Sequence, residues 1–495
     1  MLLLSTLAFT VCIAAWLING VLVTYLTNNG VFTWTPVQSG WLLGMPVLVG
    51  SVLRLPVGIL SDKYGGKRVM ITVLLISALP LYLLSLADSY GAFLGLSIAF
   101  GLAGSIFTAG VAYVVLWYPK ARQGTALGIF AAGNAGAALT TLFAPRLLTW
   151  LTDNNTALEG WRTLPKLYAG LLVLVAITVL LFARNKVPAT SKSLSQRIRP
   201  LKAVRVWRFG LYYFFMYGSF VALSQWLIPY YVNVYSLSIV AAGMMTTAFN
   251  LPAGLLRIAG GMLSDRYGAR IVLYWVFGVC LVGLLFLLPP RVELQTPGRG
   301  ILATGPGIVE SITTGGITVV NEADNQDRVV YALMTAEEMD IRFGIHRNEE
   351  GFLPMPSTSV RQQPQVHVGD RVGKGDLLAK GTTHIYFQAN RWIFTALVFL
   401  IGAMMGIGGA AVYKHISTYY PEEVGTVGGI VGVLGGLGGF FGPILFGYLL
   451  DATGVWTTCW AVLFMVALIA LVWMRFTIGR MQRSQTPAPH GGPAP

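Results

Sequence analysis

The chain has 495 residues, 55% of them hydrophobic and only 11% charged, with a mean hydropathy of +0.66. A water-soluble protein would carry about twice that charged fraction, so a soluble enzyme or binding domain is excluded. The net charge of +14 is not read as a nucleic-acid footprint, because in so apolar a chain the first question is which loops hold the charge.

Twelve apolar runs follow one another, near 2–27, 38–61, 69–87, 92–118, 124–150, 166–183, 209–232, 239–263, 271–289, 392–413, 425–450 and 456–478. Runs of roughly 20 residues match the thickness of a bilayer core. The first starts at Met1 with no basic leader and no small-residue cleavage site, so it is expected to be a span and not a signal peptide. Cys12, Cys280 and Cys459 all fall inside apolar runs. They are expected to be packing residues, with no disulfide, metal or cofactor framework.

Loop charge sets an orientation. Residues 184–208 carry eight Lys or Arg and no acid, and the loops at Asp62–Arg68, Lys120–Arg122 and Asp265–Arg270 are basic too. The short loops near 28–36, 86–91, 233–238 and 451–455 contain no Lys or Arg. The positive-inside rule then puts both termini and the 184–208 linker in the cytoplasm.

An internal repeat divides the spans. Leu53-Arg54-Leu55-Pro56-Val57-Gly58-Ile59-Leu60-Ser61-Asp62-Lys63-Tyr64-Gly65 returns as Leu256-Arg257-Ile258-Ala259-Gly260-Gly261-Met262-Leu263-Ser264-Asp265-Arg266-Tyr267-Gly268. Arg, Gly, Asp, Tyr and Gly recur at a constant offset, as expected for two parallel six-span halves. The Pro145 and Pro443 runs are further apart than that offset, so an insertion separates the eighth and eleventh spans. Residues 291–391 fit it: polar, Gly-rich, strand-forming, with ten basic and twelve acidic residues. The stretch Val366-His367-Val368-Gly369-Asp370-Arg371-Val372-Gly373-Lys374-Gly375-Asp376-Leu377-Leu378-Ala379 resembles the turn-rich half of a lipoyl/biotinyl-like barrel-sandwich module, with Gly-Asp pairs suited to tight turns. The modified-lysine hairpin of such carriers is absent. His346, His367 and His384 lack metal-ligand spacing.

The predicted organisation is therefore an all-α polytopic membrane protein of two pseudo-symmetric six-helix bundles with a small β-rich insert. Residues 1–183 form the first bundle, 184–208 the linker, 209–290 and 392–478 the second bundle, 291–391 the extracytoplasmic insert, and 479–495 a disordered tail.

No Asp or Glu falls inside a span, and Asp62 and Asp265 stand at span ends. Arg54 and Arg257 nevertheless sit within theirs. A membrane-embedded arginine costs several kcal/mol unless it faces a watery cavity and has a partner. With no acidic partner available, the simplest one is a transported anion, held bidentately by two pseudo-symmetric guanidinium groups near the midplane. The plainer alternative is that both arginines bind helix carbonyls.

Glycine supplies the second signal. Gly128, Gly133 and Gly136 precede Pro145 in the fifth span, with Asn134 among them. Gly428, Gly429, Gly432, Gly435, Gly436, Gly438, Gly439 and Gly442 precede Pro443 in the eleventh. Small residues at this spacing let helices approach closely. The Asn134 amide can donate to a substrate oxygen or to a neighbouring carbonyl.

The Asp-Lys-Tyr-Gly-Gly-Lys-Arg loop and its repeat resemble the cytoplasmic signature of the major facilitator superfamily. The two span arginines, Gly-Asn-Ala-Gly in the fifth span and the glycine-rich eleventh resemble its nitrate/nitrite porter family, over all twelve spans but not the insert. The resemblance implies an inner-membrane carrier without cofactor or covalent chemistry, in which Arg54 and Arg257 clamp nitrate or nitrite. It also implies that Phe107, Tyr213 and Tyr217 flank the planar ion with Asn134. Two departures stand out: Asn19 follows Trp16 where an aromatic is usual, and Tyr217 stands where Phe is common. Gly133, Gly136, Gly432, Gly435, Gly436 and Gly439 are expected to serve packing, and the Asp62 and Asp265 loops to gate. The chain is expected to be monomeric and to bind no nucleic acid. Nitrate/nitrite exchange, proton-coupled nitrate uptake, exchange of formate- or oxalate-type anions and a non-transporting sensor stay open at this point.

Overall fold

The computed structural model describes residues 1–187, 199–288, 292–313, 315–321, 328–333, 340–342, 346–347, 350–351, 357–387, 391–420 and 424–485. The centre of the basic linker (188–198), parts of the insert and the end of the tail (486–495) lie outside the described residues. The chain divides into two compact units, one of Met1–Leu285 with Thr395–Pro495 and one of Phe286–Phe394.

The first unit is helical. Among the described residues, eleven helices are long and apolar enough to cross a membrane. A twelfth span is formed by Ile239–Leu255 and Arg257–Tyr267, bent by 43° at their junction. Every predicted apolar run corresponds to one of these spans. The edges differ most at the tenth, which runs Arg391–Tyr419, and at the twelfth helix, which continues to Gln485 past the expected start of the tail.

The repeat seen in the sequence is a repeat of local structure. The second span opens at Pro36 with Thr35 as N-cap, its hydroxyl accepting from the Gln38 amide at 3.2 Å. The eighth opens at Ile239 with Ser238 in the same role toward the Ala241 amide at 3.3 Å. These side chains satisfy amides that the first helical turn leaves unpaired. Both spans then break, at Leu53 and at Leu256, and a second helix starts on the arginine: Arg54–Tyr64 and Arg257–Tyr267. Pro56 explains the first break, since it cannot donate to the Val52 carbonyl. The eighth span has Ala259 there, and its bend lies between Gly254 and Gly260 instead. Both second helices end on a glycine with positive φ, Gly65 at +89° and Gly268 at +85°. That conformation strains any residue with a Cβ, which is why the signature loop carries glycine at both places.

The halves are sealed on the face opposite the termini. A Cβ on Gly40 would lie 2.6 Å from the Pro443 carbonyl oxygen, and one on Gly44 2.7 Å from that of Phe440. The second and eleventh helices therefore touch backbone to backbone. Gln225 of the seventh span donates to the Leu43 carbonyl at 3.1 Å, and Thr141 of the fifth meets Thr247 of the eighth at 2.9 Å. Cys12, Cys280 and Cys459 are free and buried.

The second unit is a small β-structure. Val292–Leu302, Leu377–Phe387, Ser357–Pro364 and Asp340–Arg342 form one antiparallel sheet. Arg328–Ala332, Gly316–Asn321, Gly307–Thr313 and Arg371–Val372 form another. Ala303, Val309, Ile317, Val319, Leu333, Val372, Leu378 and Ala379 make its core. The two Gly-Asp pairs form matching turns. Asp370 accepts from the His367 amide and Asp376 from the Gly373 amide, each at 2.7 Å, with Gly369 and Gly375 at φ near +95° and +93°. Among the described residues no cluster of His, Cys, Asp or Glu is placed to hold a metal ion.

Candidate functional site

The two helix breaks bring the arginines to the centre of the helical unit. Arg54 is 3% exposed and Arg257 7%. Both guanidinium groups lie against one ring, that of Tyr217, with Cζ 5.1 Å from its centroid for Arg54 and 5.4 Å for Arg257. The aromatic face attracts each cation and holds the pair about a common centre. Phe107 flanks Arg54 from the fourth span at 5.6 Å. It follows a 3₁₀ turn at Gly101–Ser105 that interrupts that span.

Tyr217 is positioned by a π-helical turn, Phe214–Gly218, within the seventh span. Such turns are rare and cluster at functional sites because they redirect side chains at no loss of helix continuity. Here the turn stacks Tyr213 on Tyr217 with centroids 5.2 Å apart and planes within 8°. A Cβ on Gly218 would lie 2.6 Å from Gly438 Cα, so the turn also lets the seventh and eleventh helices touch.

The two arginines are bonded differently. Arg54 donates from Nη1 to the Gly432 carbonyl at 2.7 Å and from Nη2 to the Tyr217 hydroxyl at 2.8 Å. Its Nε–H is buried without a partner. Arg257 also has a buried, unpartnered Nε–H. Among the described residues no hydrogen bond or ion pair engages Arg257, and no carboxylate contacts either group. A helix carbonyl thus accepts from Arg54, and among the described residues none accepts from Arg257. No Asp or Glu is among the buried residues of the described chain.

The glycine-rich eleventh helix touches Arg54 and packs on both the second and the seventh spans. A Cβ on Gly432 would sit 3.6 Å from Arg54 Nη1 and 3.5 Å from the Tyr413 hydroxyl. One on Gly435 would overlap the Tyr213 ring, one on Gly436 would lie 2.6 Å from Ser51 Cβ, and one on Gly439 would lie 2.8 Å from Val221 and 3.0 Å from Val47. Gly133 and Gly136 differ. They pack on Phe9, Thr10 and Ala14 of the first span, inside one half.

Asn134 is buried at a 3₁₀ break, Ala132–Ala135, in the fifth span. Its Nδ2 donates to the Ala131 carbonyl at 2.8 Å, and its Oδ1 has no partner. A Cβ on Gly254 would lie 2.9 Å from the Ala135 amide, so this break packs beside the bend that carries Arg257. Trp16 and Asn19 do not belong to the arginine centre. Trp16 donates to the Pro46 carbonyl at 2.9 Å, and Asn19 to the Leu42 carbonyl at 2.8 Å and Ser97 at 2.9 Å, tying the first span to its own half. The substitution at Asn19 is thus a packing feature. Asp265 pairs with Lys414 of the tenth span at 2.5 Å.

Tyr413 was not anticipated. It stands edge-on to Tyr213 with centroids 5.3 Å apart and donates to the Gly428 carbonyl at 3.2 Å. It completes the aromatic wall next to Gly432. A tyrosine following Gly408-Gly409-Ala410-Ala411-Val412 was the available signal. Ser51, with a buried and unpartnered hydroxyl, was likewise missed.

Twelve spans in two repeated halves, meeting at a buried polar centre, define a multi-pass membrane transporter and not an enzyme. The chain belongs to the Major Facilitator Superfamily, which it matches over residues 4–320 and 377–494, the break falling inside the β-rich insert. It is 38% identical over 489 residues to the probable nitrate/nitrite antiporter NarK1 of Thermus thermophilus, covering 97% of this chain and 92% of that one. It is 31% identical over 325 residues to the probable nitrate/nitrite transporter NarK2 of Mycobacterium tuberculosis (strain ATCC 25618 / H37Rv), covering 64% and 78%. In fold it is similar to a bacterial homolog of the human lysosomal transporter Spinster, with a TM-score of 0.63 at 13% identity and 98% of both chains covered.

Proposed function

We propose that this protein carries nitrate and nitrite across the cytoplasmic membrane by alternating access, exchanging one anion for the other. The observation that carries the reading is the arginine centre: two buried guanidinium groups on one tyrosine ring, with no carboxylate in contact among the described residues. Two like charges so placed repel and are poorly solvated unless a counter-charge arrives. A planar oxyanion supplies that charge and matches the guanidinium fork. The names of the relatives support nitrate and nitrite as that oxyanion.

In this reading Arg54 and Arg257 clamp the anion through their free N–H groups. Phe107, Tyr213 and Tyr217 exclude water around it, and Asn134 offers its second amide proton. Gly432, Gly435, Gly436 and Gly439 let the eleventh helix slide across the second and seventh, while Gly133 and Gly136 keep the first half rigid. Asp62 and Asp265 gate from the span ends. The absence of a buried carboxylate among the described residues favours exchange over proton coupling. The basic loops favour cytoplasmic termini and an extracytoplasmic insert at 291–391. The carrier works as a monomer in the bilayer, each half moving as one body.

The test is labelled nitrate uptake into proteoliposomes. Vesicles loaded with nitrite at equal pH on both sides should take up nitrate, and empty vesicles should not. Arg54→Lys and Arg257→Lys should both abolish uptake. Uptake that needs a pH gradient and ignores internal nitrite rejects exchange; full uptake by Arg257→Lys rejects the clamp.

A further inference from the structure

A second cationic site lies in the C-terminal half, at the termini-side end of the seventh, ninth, tenth and twelfth spans. Arg208, Arg270, His415, Tyr419 and Thr477 line a small pocket there that opens to solvent, with Phe209 as its apolar wall. Two arginines converge on Tyr419, and a third stands beside them in the pocket lining. Arg205 Cζ lies 4.5 Å from its ring centroid, Arg270 donates to its hydroxyl at 3.3 Å, and Arg208 lines the same pocket. His415 stacks on Phe209 with centroids 5.4 Å apart and planes 17° apart, which fixes the imidazole at the pocket wall. No ion pair engages Arg205, Arg208 or Arg270 among the described residues, whereas Lys414 next to His415 is already bound to Asp265.

We propose that this pocket is an oxyanion site of the phosphate class, separate from the arginine centre. The groups are suited to it chemically. Two half-buried guanidinium groups present paired donors, Thr477 adds a hydroxyl, and the aromatic walls lower the local dielectric so that each bond to an anion strengthens. Phosphate chemistry could reach the pocket from solution, as free phosphate, or from the membrane, as the headgroup of an anionic phospholipid. Exposed apolar side chains at Val204, Trp207 and Phe476 lie on the same ends of the seventh and twelfth spans.

The test uses purified full-length protein and its unfolding midpoint. In detergent, tens of millimolar inorganic phosphate should raise the midpoint by about 3 °C over chloride at equal ionic strength. Arg208→Gln and Arg270→Gln should each remove the rise, and Arg257→Lys should keep it. In nanodiscs, a rise with phosphatidylglycerol over phosphatidylcholine, lost in the same variants, assigns the site to a lipid headgroup. If the glutamine variants do not fold, Arg208→Lys and Arg270→Lys keep the charge without the fork and should at least halve the rise. The proposal is overturned if neither phosphate nor phosphatidylglycerol stabilises the wild type, if the rise survives in both pocket variants, or if Arg257→Lys abolishes it. Glu422 and Glu423 follow closely in sequence and lie outside the described residues. A rise that emerges only in Glu422→Gln or Glu423→Gln would show that the chain's own carboxylates occupy the pocket, and would also overturn it.

Discussion

Arg54 and Arg257 occupy equivalent positions in the repeat, each opening the second helix of a broken span, yet their surroundings are unlike. Arg54 is bonded across the halves, to the Gly432 carbonyl and the Tyr217 hydroxyl. Arg257 rests against the Tyr217 ring with no hydrogen-bond partner among the described residues. The backbone repeats; the bonding does not. One arginine is thus part of the contact between halves, while the other is held ready for whatever enters. The largest effects should come from separating these roles. Arg257→Lys should weaken nitrate binding at least about 100-fold, because a lysine ammonium cannot present a fork, with the unfolding midpoint almost unchanged. Arg54→Lys should lose binding to a similar degree and also destabilise the protein by about 1–3 kcal/mol, through the two lost bonds. Equal stability losses in the two variants, read by thermal unfolding in detergent, would erase the distinction.

The eleventh helix gives the next largest effect, because it touches both neighbours of the centre. A Cβ on Gly435 would overlap the Tyr213 ring, whereas one on Gly429 would meet nothing within 4 Å. Gly435→Ala should therefore force the stacked tyrosines apart at a cost of about 1–3 kcal/mol and reduce transport about tenfold. Gly429→Ala should transport like wild type. Equal activity of the two variants in the proteoliposome assay would show that the close approach is not needed for turnover.

Much of this architecture was legible in the sequence. Twelve apolar runs, the Leu53–Gly65 repeat and the strand-like insert each follow from periodicity and spacing, since span length and turn chemistry are local properties. The arginines were legible because a charge in an apolar run is costly enough to be informative. Their unequal bonding was not, because it depends on which side chains the π-helical turn at Phe214–Gly218 directs inward. Tyr413 stayed hidden for a related reason: its place in the wall depends on Tyr213 of the seventh span, far from it in sequence. Gly133 and Gly435 read alike as small residues, yet one faces the first span and the other the site, and only the packing distinguishes them.

The Tyr217 ring serves both arginines, and its hydroxyl serves only Arg54. Tyr217→Phe should keep the shared ring and lose one hydrogen bond to a charged donor. That bond contributes about 1 kcal/mol to orienting Arg54, so the apparent nitrate affinity should fall about fivefold, with little change in maximal rate. Tyr217→Ala, which also removes the ring from Arg257, should fall much further. If Tyr217→Phe bound as tightly as wild type, the hydroxyl would have no part in aiming Arg54.

The smallest effect should come from the Lys414–Asp265 pair. Both side chains are substantially exposed, at 43% and 65%, and the bridge is short. An exposed pair of this kind contributes about 0–1 kcal/mol and weakens with salt. It also joins the eighth and tenth spans of a single half, so when the halves move it travels with its own bundle. Lys414→Met should therefore change transport less than about twofold, and the change should vanish at high ionic strength. Asp265→Asn separates two roles that this bridge leaves joined. If the carboxylate only ties the eighth span to the tenth, the two substitutions should match. If it also takes a basic partner once the halves rearrange, Asp265→Asn should slow turnover several-fold more than Lys414→Met, and the excess assigns gating to Asp265 apart from its present partner.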